Sequence, residues 1–162
     1  MGDNYAFRES VDARDPASVG RIAGAAGNFR DDEIAVAVEL VRERLRKGDE
    51  SGYHFWFADA PDGTLAGYVC YGPTPCTLGS FDLYWIVVDN PRRGRGLGGA
   101  LMARAEEAAR AMGCRRMYVE TSGTDRYQGA RRFYRGGGYS EAAVLADFYA
   151  EGDDKVIFLK KL

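Results

Sequence analysis

Apolar positions in the first third of the chain recur at helical spacing. Ile34, Ala37, Val38, Val41 and Leu45, with Leu40 on one edge, mark one face of a helix. Asp31, Asp32 and Glu33 stand at its start and a basic run from Arg42 to Lys47 at its end. Carboxylates at the positive end of a helix dipole and cations at the negative end favour the same assignment. An earlier helix is expected from Asp15-Pro16, because proline suits the first helical position, and residues 5–11 precede it as a candidate strand.

Beyond residue 52 the pattern becomes extended. Residues 53–58 and 65–71 read as strands joined by Asp59-Ala60-Pro61-Asp62-Gly63, whose proline and glycine supply turn geometry. Two prolines within residues 72–79 break the pattern, and residues 81–88 then form a long aromatic and β-branched strand. The helical period returns after Gly96 in Leu97, Leu101, Ala105, Ala108 and Met112, and closes at Gly113, a natural C-cap. Residues 116–121 predict a strand, and residues 128–135 a helix stopped by Gly136-Gly137-Gly138. Residues 139–145 and 155–160 predict a last pair of strands around Glu151-Gly152-Asp153-Asp154.

The order βααβββαβαββ predicts an α/β fold of the mixed, α+β kind, with helices on the faces of a mixed sheet. The 162 residues, without a Pro/Ser-rich linker, are expected to form a single domain over 1–162, acting as a monomer or homodimer. No apolar run approaches the roughly 20 residues that cross a bilayer, and the polar start at Met1 has no signal-peptide character. No membrane partner and a cytoplasmic location are therefore expected. Cys70, Cys76 and Cys114 form no CxxC pair, and His54 is the one histidine, so no metal site or histidine-based triad is expected.

Charge is distributed unevenly. Eleven arginines against four carboxylates give residues 91–135 a charge of +7 within a chain of net charge −2. A local basic stretch in an acidic chain fits a small anionic ligand better than a nucleic-acid surface. Inside it lies Arg93-Gly94-Arg95-Gly96-Leu97-Gly98-Gly99, between a hydrophobic strand and an amphipathic helix. Glycines give a phosphate close access to backbone N–H groups, and the helix start adds its dipole. Gly94, Gly96 and Gly99 also satisfy the dinucleotide fingerprint GxGxxG, with Glu120 at a later strand end. Five residues between strand and glycines, the arginines, and the few strands that follow weigh against a Rossmann site. No GK[ST] follows, as a nucleotide-triphosphate loop requires.

Residues 81–101, FDLYWIVVDNPRRGRGLGGAL, resemble motif A of the GNAT N-acetyltransferase superfamily, whose [QR]xxGx[GA] signature is met by Arg93, Gly96 and Gly98. ARRFYRGGGY, residues 130–139, resembles its motif B, AxxFYxxxGF. The resemblance implies the GNAT fold, a mostly antiparallel central sheet flanked by helices, with acetyl-CoA as cosubstrate. It implies a pyrophosphate held by the amides of Arg93, Gly94, Arg95, Gly96, Leu97, Gly98 and Gly99. The backbone of Ile86, Val87 and Val88 would pair with the pantetheine arm. One departure is Tyr127, where many relatives carry asparagine.

Acetyl transfer to nitrogen requires a neutral amine, a stabilised oxyanion and a proton for the departing thiolate. Tyr134, at the motif B tyrosine, is the candidate acid. A lysine-like amine is neutral at pH 7 in only about one molecule in 2500, so it needs a base. Asp82 and Glu120 resemble positions at which relatives carry a catalytic glutamate, and a water relay is the third option. Phe29, Glu33, Tyr84, Phe148 and Tyr149 are expected around the acceptor, with Asp153 or Asp154 attracting a cationic amine. The expected reaction is direct acetylation of a primary amine on a small molecule, amino acid or peptide N-terminus. The alternatives are a catalytically silent acyl-CoA sensor and, more remotely, a Rossmann-type protein.

Overall fold

A computed structural model describes residues 4–162. Its elements are β1 (Ala6–Arg8), α1 (Asp15–Ala26), α2 (Asp31–Lys47), β2 (His54–Asp59), β3 (Leu65–Pro73), β4 (Ser80–Val88), α3 (Leu97–Ala111), β5 (Arg116–Ser122), α4 (Gln128–Gly136), β6 (Ser140–Ala150) and β7 (Asp153–Lys161). The strands form one sheet in the order β1-β2-β3-β4-β5-β7-β6, in which β4 and β5 make the one parallel pair among the described residues. The βααβββαβαββ order and the mixed sheet are as the sequence predicts. A mostly antiparallel sheet is not the doubly wound parallel sheet of a Rossmann site.

Alternation along β3 builds a core on each face. Tyr68 and Cys70 pack with Phe55, Phe57 and Val87 beneath Val19 and Ile22 of α1 and Ala37 and Val41 of α2. Val69 and Tyr71 turn to the other face, joined by Ala66 across the register irregularity opposite Ala58 and Asp59, and there Leu101, Ala105 and Ala109 of α3 cover Met117, Val119 and Phe158. The start of α1 is fixed by an ion cluster. The Arg8 guanidinium lies 2.7 Å from fully buried Asp15 and 2.8 Å from Asp59, tying β1, α1 and β2 together.

Several expectations shift. The first strand is three residues rather than seven, because Arg8 donates to the Ser10 carbonyl and Asp15 accepts the Asp12 amide, turning the chain towards α1. The buried stripe of α3 ends at Ala109, with Met112 half-exposed beyond the helix, and Leu45 of α2 is exposed. The last hairpin is longer than expected: Ala150 pairs with Asp153, leaving a two-residue turn, and β6 carries an irregularity between Leu145 and Ala150 with Asp147 at φ 52°.

The feature that makes a site is a fork between β4 and β5. Their pairing runs from Ser80↔Arg116 to Leu83↔Val119 and stops there. At that point Cys70 faces Trp85 while Tyr71 faces Leu83, so Tyr84 is an extra residue in β4. Such a bulge bends its strand and increases the local twist. Beyond it the two strands diverge, and the edge of β4 from Tyr84 to Val88 faces β5 without strand pairing.

Candidate active site

The fork opens into a cavity of about 1360 Å³, lined by the glycine-rich turn, the connection between α1 and α2, and residues of β4, β5 and β7. Gly96 is the N-cap of α3 at φ 83°, and it offers no capping side chain. The first intrahelical bond runs from the Ala100 amide to the Gly96 carbonyl. The amides of Leu97, Gly98 and Gly99 therefore have no acceptor one turn earlier, and the helix dipole is positive there. Cβ atoms placed on Gly94, Gly96 or Gly99 would meet no atom within 4 Å, so the space above the turn is open. This open, capless helix start fits the pyrophosphate of an acyl-CoA.

The individual glycines differ in purpose. A Cβ on Gly98 would stand 3.2 Å from the Phe133 ring, so this glycine lets α3 approach α4. Arg93 and Arg92 line the cavity, and the Arg93 Nε–H donates to the Val88 carbonyl at 3.1 Å. That contact occupies one of the three β4 carbonyls expected to face the pantetheine arm. Arg95 is not among the lining residues: its position precedes the helix, and its Gly94 and Gly96 neighbours form the wall. The backbone of Ile86, Val87 and Val88 lies along the cavity.

Tyr134 reaches the same cavity from α4 and is only 7% exposed. Its ring packs against Phe133, Tyr139 and Phe158, with centroids 5.6–6.2 Å away. Burial pushes its phenol well above the ordinary tyrosine range, which keeps the proton on oxygen at neutral pH. Among the described residues its hydroxyl has no hydrogen-bond partner, while Tyr139 beside it donates to Glu106 at 3.0 Å. The hydroxyl is not one of the buried unpartnered polar atoms, so it opens to the cavity, where a ligand can meet it.

The two candidate bases lie on the face of the sheet that α1 and α2 cover. Asp82 lines the cavity at the closed base of the fork and accepts a 2.7 Å hydrogen bond from the Thr74 hydroxyl. The carboxylate of Asp82 and, above all, burial raise the neighbouring Tyr84 phenol to about 12. Glu120 lines the diverging limb, half-exposed, and its Oε2 lies 2.7 Å from Lys155 Nζ. Lys155 has no signal in the sequence that would mark it, since its partner sits 35 positions earlier.

Phe29, Glu33, Tyr84 and Tyr149, the residues expected around the acceptor, all line the cavity. Glu33 also accepts the Arg30 amide at 2.8 Å, so it caps α2 as well as facing the cavity. The Tyr149 phenol is raised to about 12 by burial, then by the carboxylates of Glu120, Asp153 and Glu33. Asp153 accepts from Ser122 at 2.6 Å. Phe148 is 52% exposed and not part of the cavity wall; its ring lies 3.8 Å from Lys155 Nζ and edge-on to Tyr149 at 5.1 Å. Asp154 likewise serves the hairpin, accepting the Asp147 amide. Sequence reasoning missed Asn28, Tyr53, Trp85 and Tyr118, all of which line the cavity. His54 is half-buried beside Tyr71, and burial lowers its pKa. Among the described residues no cluster of His, Cys, Asp or Glu is placed to hold a metal, and no helix is long and apolar enough to cross a membrane.

Comparison with known proteins agrees with this geometry. The model of the acetyltransferase (GNAT) family matches residues 21–139. A protein from Desulfovibrio desulfuricans assigned as a GNAT-family acetyltransferase is 46% identical, over 98% of this chain and 99% of that one, with a TM-score of 0.95. Two more distant structures share the fold. An aminoglycoside 6'-N-acetyltransferase complexed with coenzyme A is 16% identical over 96% of each chain, TM-score 0.76. The ribosomal-protein-S18-alanine N-acetyltransferase of Escherichia coli is 17% identical over 98% of this chain and 94% of that one, TM-score 0.76. Among curated proteins none matches the chain. The forked sheet, the capless glycine turn and the family match together show that the chain belongs to the GNAT family of acetyltransferases.

Proposed function

We propose that this chain, acting as one domain, is an acetyl-CoA-dependent N-acetyltransferase that passes the acetyl group directly to a primary amine. The observation that carries this reading is the shared cavity: Tyr134, whose hydroxyl has no protein partner among the described residues, faces the same space as the capless helix start at Gly96. When bound, acetyl-CoA supplies an activated thioester and a thiol leaving group. The amides of Leu97, Gly98 and Gly99, with Arg92 and Arg93, hold its pyrophosphate, and the unpaired edge of β4 positions the pantetheine arm.

The two proton movements fall to different residues. Asp82, with Thr74 fixing one carboxylate oxygen, receives the proton of the attacking amine, directly or through one water. Tyr134 gives its hydroxyl proton to the departing sulfur. Glu120 has one oxygen held by Lys155 and, together with Glu33 and Asp153, attracts a cationic amine to the acceptor end. The structurally similar aminoglycoside and ribosomal-protein enzymes show that this fold serves both small and peptide amines.

The test is thiol release from acetyl-CoA with a panel of amines, amino acids and N-terminal peptides. Release that depends on one class of amine supports the reading. Tight acetyl-CoA binding without release across the panel would instead support a silent acyl-CoA sensor.

A further inference from the structure

Tyr127 ends a 3-10 turn (Asp125–Tyr127) just before α4, on the β5 side of the fork. Its hydroxyl donates to the backbone carbonyl of Asn28 at 2.8 Å, joining segments 99 positions apart. Asn28 belongs to the short connection between α1, which closes at Gly27 in a left-handed C-cap, and α2, whose N-cap is extended Arg30. The next residue, Phe29, stands edge-on to Tyr127 at 6.4 Å and to Trp85 of β4 at 5.0 Å. Residues 28 and 29 are thus carried across the gap between the two limbs of the fork, held to one by a hydrogen bond and to the other by an aromatic contact. All four of these side chains line the cavity.

The Asn28 side chain does not hold this arrangement. Its Oδ1 is buried without a hydrogen-bond partner among the described residues. A buried acceptor left unpaired costs free energy, so something else must keep the connection where it is. The Tyr127 hydroxyl supplies that contact, and burial, followed by the Glu33 carboxylate, raises its pKa and keeps it a donor.

We propose that Tyr127 is a positioning residue for the acceptor: it pins Asn28 and Phe29 across the fork, so that Phe29 and Trp85 form a fixed wall at the acceptor end. The cradle at Gly96 is formed by the start of α3, to which neither Tyr127, Asn28 nor Phe29 is hydrogen-bonded among the described residues. The kinetic side of the proposal rests on the acetyltransferase reading above; the structural side does not.

Tyr127→Phe keeps the ring and removes only the hydroxyl, and so separates pinning from packing. Amide hydrogen exchange in residues 27–31 is measured for both proteins, together with the KM values for acetyl-CoA and for the best amine of the panel. One neutral hydrogen bond corresponds to about a three- to tenfold effect. The expected result is exchange faster by that factor at residues 28–30, an acceptor KM raised comparably, and an acetyl-CoA KM unchanged within about twofold. Unchanged exchange overturns the pinning, and an acetyl-CoA KM that rises as much as the acceptor KM overturns the acceptor-specific role. A wild-type protein that releases no thiol with any amine counts against the acetyltransferase reading instead, and the exchange measurement still decides whether Tyr127 pins the connection.

Discussion

Lys155 Nζ lies 2.7 Å from Glu120 Oε2, on neighbouring antiparallel strands of the fork's far limb. In the proposed mechanism the pair distinguishes two carboxylates that look alike in sequence. The Lys155 ammonium offsets much of the Glu120 charge, whereas Asp82 is held by the neutral Thr74 hydroxyl with no ion pair among the described residues, which suits the base role proposed for it. Asp82→Asn should lower kcat by about 100-fold, the lower end of what a positioned base contributes. Glu120→Gln should raise the KM of cationic amines by about tenfold and leave kcat nearly unchanged, as for loss of one charge-assisted contact. Steady-state kinetics on both variants decides the assignment; a kcat loss confined to Glu120→Gln reverses it.

Tyr134→Phe removes a hydroxyl that has no protein partner among the described residues while leaving a ring in contact with Phe133, Tyr139 and Phe158. Thermal stability should be nearly unchanged, since the ring contacts are kept and no hydrogen bond to protein is lost. Turnover should fall by about 100-fold or more, with acetyl-CoA affinity within a few-fold. A variant that turns over at the wild-type rate would remove Tyr134 as the acid.

The glycine turn offers a variant in which stability and binding move in opposite directions. Gly99 lies in the first turn of α3 with open space where a Cβ would stand. Gly99→Ala should stabilise the fold by about 0.5–1 kcal/mol through reduced backbone entropy. The same methyl group projects into the space read as the pyrophosphate cradle, so acetyl-CoA affinity should fall. Gly96→Val, at φ 83°, should lose both affinity and stability. Calorimetric binding alongside thermal melts checks each, and unchanged affinity in Gly99→Ala would move the cradle elsewhere.

Seven of the ten tyrosines, Tyr68, Tyr71, Tyr84, Tyr127, Tyr134, Tyr139 and Tyr149, have phenols raised first of all by burial. The value reaches about 12 at Tyr71, Tyr84 and Tyr149. Each binds its proton more tightly folded than unfolded. The stability it contributes is therefore complete below pH 10 and is lost as pH rises towards and past 12. Ultraviolet titration of the native protein at about pH 11 should show fewer than half of the phenolates that appear on unfolding, and denaturant midpoints should decline above pH 10. A native titration that matches the unfolded one would contradict this burial.

Much of the architecture was legible locally. The apolar period of residues 34–45, the alternation of residues 53–71 and the glycine after Met112 each act within a turn or a strand, so their consequences need no distant partner. Boundaries fared less well where a distant contact decided them. The strand at Ala6–Arg8 is cut short by Arg8 reaching Asp15, and the acidic segment before Lys155 reads as a loop yet pairs into a long hairpin. Phe148 and Tyr149 are adjacent in sequence, yet Tyr149 lines the cavity and Phe148 does not.

By itself the sequence determined the order of elements, the glycine turn ahead of α3 and the tyrosine of α4, because backbone geometry at a glycine and side-chain periodicity on a helix are local properties. The tertiary structure decided the rest. Only the register between β3 and β4 reveals the extra residue at Tyr84, and hence the fork. Only packing brings Lys155 to Glu120 and Tyr127 to Asn28. Such contacts depend on where the folded sheet places strands and connections distant in sequence, and neither spacing nor composition carries that information.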